Sequence, residues 1–589
     1  LFLPPARWPG ALLDEAWRRV ILNSAHDSVC ACSIDDVCDA VLHRYTEAAD
    51  IGAGLADRAV AHLATRVDHD GPVIVNPTAR RRGGIVELAL PGTEAPPGTQ
   101  LVRARPEESV LLEGPREIVV PATEEVDWVP TISAFSLEAA DGTVLVGSRR
   151  EGTGQMVTAD VRAALEALHD TGPLRLKVRQ PAQVTVLAPV ADVPGFGWRG
   201  WTPAGADGVD PVTVSDDAGT GTGPVVSNGL VTLTVDPTGG TFGLDDHRGL
   251  GRLVDGGDCG DTYNWCPPAD DTVVDTPDAV DVAVLERGPL RARVLVTARY
   301  RWPARGEGLD HRTGEEANEV RTRLELRAGE RAVRVDVTVD NRSRDHRLRA
   351  HFPLPTAASV SRAECAFGVV ERGLAAEGGP TEAPLATYPA QRFVQAGGLT
   401  VVHDGVAEYE LVAVRDGEAH ELALTLLRAT GMLSQMPMAT RPLPAGPLIK
   451  VEGAQVQGRV TMRYAVAVGD DLDPYGLADE VLVPLRVAST DSRSRGTTPS
   501  TAAAGDTTDL AAVGSALTVE GAVVSAVVRE GEALVVRVFN PSAARTDVSL
   551  VDRRGWLVDL RGRPLEPFEG SFPLRPWGIA TVTVGGPAG

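Results

Sequence analysis

The sequence of 589 residues is long enough for several domains, and its content of 43% hydrophobic and 23% charged residues is typical of globular proteins. A net charge of −23, with no run rich in Lys and Arg, argues against nucleic acid or an anionic membrane as the partner. No apolar run reaches the roughly 18 residues of a membrane-spanning helix, and six cysteines are too few for a disulfide scaffold in a chain of this length.

The first predicted elements are two helices. Apolar residues spaced i, i+3, i+4, i+7 and i+8 predict one apolar helix face, formed by Leu13, Ala16, Trp17, Val20 and Ile21. Ser33 followed by Asp36 predicts an N-cap and a second helix that continues to about residue 66. His26 and Asp27 therefore lie in the break between the helices, where two rigid elements fix their position.

From residue 72 onward the apolar period changes from 3.6 to 2. Short β-type runs alternate with Gly, Pro, Asp and Asn, a pattern typical of antiparallel sandwiches. One further helix is predicted within residues 157–170. Residues 203–224 are predicted to form a linker or loop, and the Ser/Thr/Arg-rich residues 489–508 a linker.

The predicted fold class is therefore mainly β with an N-terminal helical segment, in which part of a helical bundle is followed by antiparallel β-sandwich domains. The predicted domains are the partial helical bundle (1–70), a first β-sandwich (71–205), a large β-sandwich (224–488) and a small C-terminal β-sandwich (509–589).

The His26–Asp27 pair is the first candidate for chemistry. On its own, such a dipeptide is most often a hydrogen-bonded pair at a helix end. Its surroundings, residues 23–35 reading NSAHDSVCACSID between an aromatic-containing helix and a long helix, resemble the middle domain of bacterial α-mannosidases of glycoside hydrolase family 38. The resemblance implies that His26 ligates the catalytic zinc and that Asp27 contacts hydroxyl groups of the bound mannose.

Two later segments carry the same resemblance. Residues 260–268, reading GDTYNWCPP, are similar to a loop of bacterial family members, which implies substrate contacts from Tyr263 and also from Asp261. The residues alone leave open a loop whose Trp265 covers a sheet end. Arg428 is the third candidate because relatives place an Arg near the substrate from this part of the chain, although an Arg at a strand end is more often a surface ion-pair partner.

The cysteines near His26 suggest a second zinc interpretation that the spacing disfavours. Cys30, Cys32 and Cys38 do not form a recurring zinc motif, and small thiols that pack a helix turn are the favoured state. Serine-hydrolase, phosphate-loop and dinucleotide motifs are absent from the sequence. We assign no catalytic residue to this chain.

Family members carry a catalytic barrel-like domain upstream of the bundle. It supplies three of the four zinc ligands, among them the Asp nucleophile, and the acid/base carboxylate. Because this sequence begins at Leu1 within the bundle, we expect a fragment of a zinc-dependent retaining α-mannosidase that hydrolyses terminal α-D-mannosides only when complete. In this chain the Zn²⁺ site would be incomplete.

Two alternatives to the α-mannosidase interpretation stay open. One is a mannosylglycerate-type hydrolase of the same family, and the other is a non-catalytic carbohydrate-binding β protein. The expected partner is a mannoside substrate, without nucleic acid or membrane, and relatives often form homo-oligomers. We expect a cytoplasmic location. The opening residues lack a basic start and a long apolar core, but the N-terminus of a fragment does not report localisation.

Overall fold

The computed structural model describes residues 8–123, 135–148, 158–168, 173–203, 209–215, 223–405, 407–488 and 510–585, and the statements below concern these residues. Helices occupy the N-terminal part and antiparallel sheets most of the rest, which confirms the predicted fold class. Within these ranges, no helix combines the length and the apolar character that crossing a bilayer requires.

The N-terminal part is a helical hairpin, residues 10–66, with helices α1 (Gly10–Leu22), α2 (His26–Val29) and α3 (Asp35–Arg66). Buried Asn23 joins the two long helices, because its Nδ2 donates to the Val41 carbonyl at 3.0 Å and its Oδ1 accepts from Arg44 at 3.0 Å. No residue of α1 is buried, so the predicted apolar face does not enter a core within the described chain.

The predicted start of the second long helix was wrong in one detail. Ile34, rather than Ser33, is the N-cap of α3, and it makes no side-chain capping bond. The Ser33 hydroxyl instead donates to the Asp27 carbonyl at 3.1 Å. Ser33 therefore closes the turn that carries the His26–Asp27 pair.

The next region contains two sheets, β2-β8-β3 and β4-β7-β6-β5, in which the β6–β7 pair is parallel. Helix α5 confirms the helix predicted within residues 157–170, and its Val161 and Leu165 pack in one cluster with Leu174 and Leu176 of β7. The elements of this region are β1 (Val73–Asn76), β2 (Arg82–Pro91), β3 (Gln100–Arg105), β4 (Glu108–Gly114), α4 (Arg116–Ala122), β5 (Phe135–Ala140), β6 (Thr143–Ser148), α5 (Thr158–Ala167), β7 (Leu174–Arg179), β8 (Gln183–Val193) and β9 (Gly197–Gly200).

The large β region follows. Its main core contains Phe352 and Tyr464, whose rings meet edge to face at 5.5 Å. Its elements are β10 (Thr213–Ser215), β11 (Val225–Ser227), β12 (Thr232–Val235), β13 (Phe242–Leu244), β14 (His247–Leu250), β15 (Arg252–Gly257), β16 (Ala279–Arg287), β17 (Arg291–Trp302), β18 (Arg305–Glu307), β19 (His311–Thr313), β20 (Glu316–Arg327), β21 (Val333–Asn341), β22 (His346–Ala358), β23 (Val360–Cys365), β24 (Gly368–Gly373), β25 (Thr387–Ala390), β26 (Phe393–Ala396), β27 (Leu399–His403), β28 (Ala407–Val412), β29 (Ala419–Ala429), β30 (Gly458–Val468), α6 (Pro474–Leu482) and β31 (Arg486–Ala488).

Three larger sheets organise these strands. A nine-stranded sheet has the order β16-β17-β20-β21-β30-β27-β26-β23-β24. The two five-stranded sheets are β10-β11-β12-β13-β14 and β15-β22-β29-β28-β25. The second of these positions the candidate site, because the loop that follows β15 and the loop that follows β29 lie together at its end.

The C-terminal region forms a six-stranded sheet around its own cluster of buried Val, Leu and Phe side chains. A separate four-stranded sheet, β31-β1-β9-β32, combines strands from distant parts of the chain, so that Val73 pairs with both Gly200 and Ala488. The strands of the C-terminal region are β32 (Val513–Ser515), β33 (Val519–Glu520), β34 (Val523–Glu530), β35 (Ala533–Phe539), β36 (Thr546–Val558), β37 (Pro564–Leu574) and β38 (Ile579–Val584).

Candidate functional site

The helical hairpin meets the large β region at the loop of residues 258–268, which follows β15. The Cys32 thiol donates to the Thr262 carbonyl at 3.5 Å, and the Asp35 carboxylate accepts from the Glu452 amide at 2.9 Å. Burial raises the pKa of the Tyr263 phenol, and the nearby Cys32 and Asp27 raise it further. The structure therefore brings together the segments that carry Asp27 and Tyr263, which lie far apart in the sequence, through the Cys32–Thr262 contact.

His26 and Asp27 form the first turn of the short helix α2. The His26 side chain is 93% exposed and that of Asp27 is 51% exposed, with 3.2 Å between His26 Nε2 and Asp27 Oδ1. The Cys30 thiol donates to the backbone carbonyl of His26 at 2.6 Å, so this contact does not involve the imidazole. The imidazole is thus accessible to a ligand from outside the hairpin.

A catalytic zinc is usually held by three protein ligands, and the described ranges contain no group of three or more His, Cys, Asp and Glu side chains suited to a metal. Burial raises the pKa of the Cys32 thiol to about 12, with a further contribution from Cys30, so Cys32 is a poor ligand. Within the described chain, His26 therefore fits one ligand position and not a complete site.

Asp261, one of the predicted substrate-binding residues, is fully buried. Its Oδ1 accepts from the amides of Tyr263 at 3.0 Å and Asn264 at 2.9 Å. Its Oδ2 accepts from the Gln435 amide at 2.7 Å and from Arg441. Four donors therefore occupy this carboxylate, and the structure places it beneath the Tyr263 turn, where it fixes the loop.

Arg428, the third predicted residue, also contacts the 258–268 loop. Its Nε donates to Asp258 Oδ2 at 2.6 Å, and its Nη2 donates to the Asp261 carbonyl at 2.7 Å. The Asp258 side chain is fully buried and that of Arg428 is 20% exposed. Arg428 is thus bonded to the loop from the end of β29, in a largely buried ion pair.

Trp265 confirms part of the alternative interpretation of this loop, because it lies against the sheet that the loop leaves. The Arg347 guanidinium of β22 lies 3.9 Å from the centroid of the Trp265 ring. The Trp265 Nε1 donates to the Gly257 carbonyl at 3.0 Å. The loop therefore has both features: Trp265 packs on the sheet, while the neighbouring Thr262 carbonyl contacts Cys32 of the helical hairpin.

Arg441 belongs to the candidate site but stands in none of the sequence motifs described above. Its side chain is 3% exposed and bonds to Asp261 and Asn264. A signal was present in the sequence, because Arg441 is the one charged residue within residues 434–449. A single cation in a loop rich in Pro, Met and Leu needs a carboxylate from elsewhere in the fold.

The comparison with known families bears on this region directly. Residues 227–432 match the model described as "Glycosyl hydrolases family 38 C-terminal domain". The chain carries a family 38 C-terminal domain. The matched range of this family 38 domain contains Asp261, Tyr263 and Arg428, whereas His26, Asp27 and Arg441 lie outside it.

Two solved structures have folds similar to the whole described chain. One is an alpha-mannosidase from Enterococcus faecalis V583, with a TM-score of 0.68 and 21% identity over 98% of this chain and 64% of that chain. The other is a glycosyl hydrolase family 38 protein from Enterococcus faecalis, with a TM-score of 0.67 and 20% identity over 98% of this chain and 66% of that chain. The fold around the family 38 domain is thus shared, while the present chain spans slightly less than two thirds of these proteins.

A curated relative aligns with a shorter segment. It is named "Putative mannosylglycerate hydrolase" and comes from Halalkalibacterium halodurans, with 28% identity over 222 residues. The aligned segment covers 33% of this chain and 24% of the relative.

Proposed function

We propose that this chain forms the C-terminal part of a zinc-dependent retaining α-mannosidase and is inactive by itself. The observation that carries the proposal is the meeting of the His26–Asp27 turn with Tyr263 in a chain that contains a family 38 domain. The substrate class would be terminal α-D-mannosides. A phenol and a carboxylate on two neighbouring segments can donate to and accept from the hydroxyl groups of a sugar ring.

Each predicted site residue has a role in this proposal. Asp27 and Tyr263 would contact sugar hydroxyls, because both side chains are at least partly exposed where the two segments meet. Asp261 and Arg428 would hold the 258–268 loop from below, as their hydrogen bonds suggest. His26 would provide one zinc ligand, and zinc would supply charge to orient the mannoside hydroxyls.

The remaining ligands and the catalytic carboxylates would come from polypeptide that corresponds to the third of the Enterococcus proteins not covered here. The helical hairpin offers a surface for it, which we call the apolar hairpin surface. The term covers the large apolar side chains of the two long helices that are at least 37% exposed, which such a polypeptide would contact. They are Leu12, Trp17, Ile21, Leu22, Val37, Leu42 and Tyr45.

The first test measures hydrolysis of an aryl α-mannoside by the purified chain, together with its zinc content. We expect neither turnover nor stoichiometric zinc, because a retaining mechanism needs a nucleophile and an acid/base carboxylate placed across the sugar. Turnover that disappears in the Asp27→Asn, Tyr263→Phe double variant would contradict the proposal that this chain is inactive by itself.

The second test uses a longer protein in which this chain is joined to the missing third from a family 38 enzyme and is active. His26→Ala should lower its bound zinc at least 10-fold, since loss of one of a few ligands weakens binding strongly. His43→Ala is the matched control, because His43 is a 73% exposed histidine of the same hairpin. Equal zinc content in both variants would contradict His26 as a zinc ligand and would leave His26–Asp27 as a helix-end pair, as the carbohydrate-binding alternative expects.

A mannosylglycerate-type hydrolase is the second candidate, favoured by the name of the Halalkalibacterium relative. Both candidates share the same mechanism, and the aglycone distinguishes them. A substrate panel on the active longer protein that compares mannosylglycerate with aryl and disaccharide α-mannosides would decide by the ratio of their kcat/KM values.

A further inference from the structure

The loop of residues 433–449 leaves the end of β29 and packs against the 258–268 loop. Its ends are closed by the Leu433 amide, which donates to the Ile449 carbonyl at 2.8 Å, and by the Met432–Lys450 bridge. Within it, the Ser434 hydroxyl accepts from the Gly446 amide at 3.2 Å. The 433–449 loop is therefore a closed unit that lies beside the predicted sugar contact.

Arg441 connects this unit to the 258–268 loop through both Nη atoms of its guanidinium, while Nε bonds within its own loop. Nε donates to the Leu443 carbonyl at 2.9 Å, within its own loop. Nη1 donates to Asn264 Oδ1 at 2.6 Å, and Nη2 donates to Asp261 Oδ2. Only a planar fork with several donors can make these three bonds together, so Lys is not an equivalent residue here.

The Tyr263 ring lies against the same unit at Arg441 and Gly446. The Arg441 guanidinium carbon lies 5.6 Å from the ring centroid, within the range of a cation–π contact. The backbone of Gly446 is also close, because a Cβ at this position would lie 3.1 Å from the phenol oxygen and 3.5 Å from Cε2. The ring thus has a cation nearby and a side-chain-free backbone next to its hydroxyl.

We infer that Arg441 is a positioning residue that sets the orientation of Tyr263 through Asp261, Asn264 and the ring itself. The placement of the ring stands on these contacts alone, and its meaning for sugar recognition rests on the proposed function. A mannoside would then meet a phenol whose direction is fixed before binding, which lowers the entropy lost on binding.

The test uses this chain labelled with 3-fluorotyrosine and observed by ¹⁹F NMR, without any sugar. The seven tyrosines give a small set of resonances, and Tyr263→Phe identifies the one of interest. We expect Arg441→Lys and Arg441→Ala each to shift and broaden the Tyr263 resonance beyond its line width while the others stay in place. Millimolar guanidinium should restore the original resonance in the Ala variant, since it refills the vacated position.

Two further variants complete the experiment. Gly446→Ala should move the same resonance, because the added methyl meets the phenol oxygen. Arg342→Lys is the control, since Arg342 is a 62% exposed arginine paired with Asp340, and it should change nothing. A Tyr263 resonance unchanged in both Arg441 variants overturns the inference, and so does an unfolded Lys variant, which would make Arg441 a structural residue. Failure of the proposed function would appear instead in the zinc and hydrolysis measurements.

Discussion

The two segments that meet at the candidate site are held in opposite ways. In the helical hairpin, the His26 imidazole is 93% exposed and α1 buries none of its residues. In the 258–268 loop, Asp261 is fully buried and its partner Arg441 is 3% exposed. The 258–268 loop is thus fixed by buried ion pairs within this chain, whereas the hairpin turn that carries His26 is exposed.

The difference teaches how a site can be divided between rigid and open parts. Buried charges that are fully paired hold a loop in one conformation, because every alternative leaves a charge without a partner. The exposed turn that carries His26 lies among exposed apolar side chains, and no buried ion pair of the described residues holds the imidazole in one direction. The direction of Tyr263 is therefore set by this chain, and the surroundings of His26 are left for a further polypeptide or ligand to set.

The largest effect on stability should come from removing the buried carboxylate that holds the 258–268 loop. Asp261→Ala leaves the Arg441 guanidinium and three backbone amides without their acceptor, so we expect a loss of about 3–5 kcal/mol in the free energy of unfolding. Asp27→Ala, at an exposed carboxylate, should change it by about 0.5 kcal/mol or less. Urea unfolding of both variants measures the contrast, and equal losses would remove the distinction between the two segments.

A smaller effect concerns the contact between the segments. Cys30 is exposed, whereas Cys32 is buried against Thr262 and has a pKa of about 12, so at pH 8 its thiolate fraction is about a thousand-fold below that of an ordinary thiol. Iodoacetamide should therefore modify Cys30 well before Cys32, as read by peptide mass spectrometry. Similar rates at both thiols would mean that the hairpin does not stay closed on the loop.

The smallest effect belongs to the apolar hairpin surface. Trp17 is 59% exposed, so Trp17→Ser should cost about 0.5 kcal/mol or less in the isolated chain. Leu63→Ala, at a 2% exposed position of α3, should cost about 2–5 kcal/mol because it opens a cavity. Thermal unfolding followed by circular dichroism compares them, and a large loss at Trp17 would show that the surface is already packed within this chain.

Much of the fold could be predicted because the spacing of apolar residues along the chain indicates whether a segment forms a helix or a strand. The change from period 3.6 to period 2 near residue 72 separates α3 from β1, and the helix within residues 157–170 is present as α5. The exposure of Trp17 could not be predicted, since an apolar helix face shows that something is needed to cover it but not what does so.

The candidate site was predictable in part for the same reason. His26, Asp27 and Tyr263 stand in continuous motifs, and the structure brings their segments together. Arg441 stands in no motif, and its partner Asp261 is distant in the sequence. Pairings of this kind depend on how loops from different strands meet, which local patterns do not encode.

The small sheet β31-β1-β9-β32 has a consequence for biosynthesis. Strand β1 is buried at every position, yet its hydrogen-bond partners include Arg486–Ala488, and the neighbouring β9 pairs with Val513–Ser515. Domains tend to fold as they emerge from the ribosome, in order from the N-terminus. Here β1 can pair with β9 soon after both are synthesised, but its other edge waits for Arg486–Ala488, so that edge of the nascent chain stays unpaired while the large β region is translated.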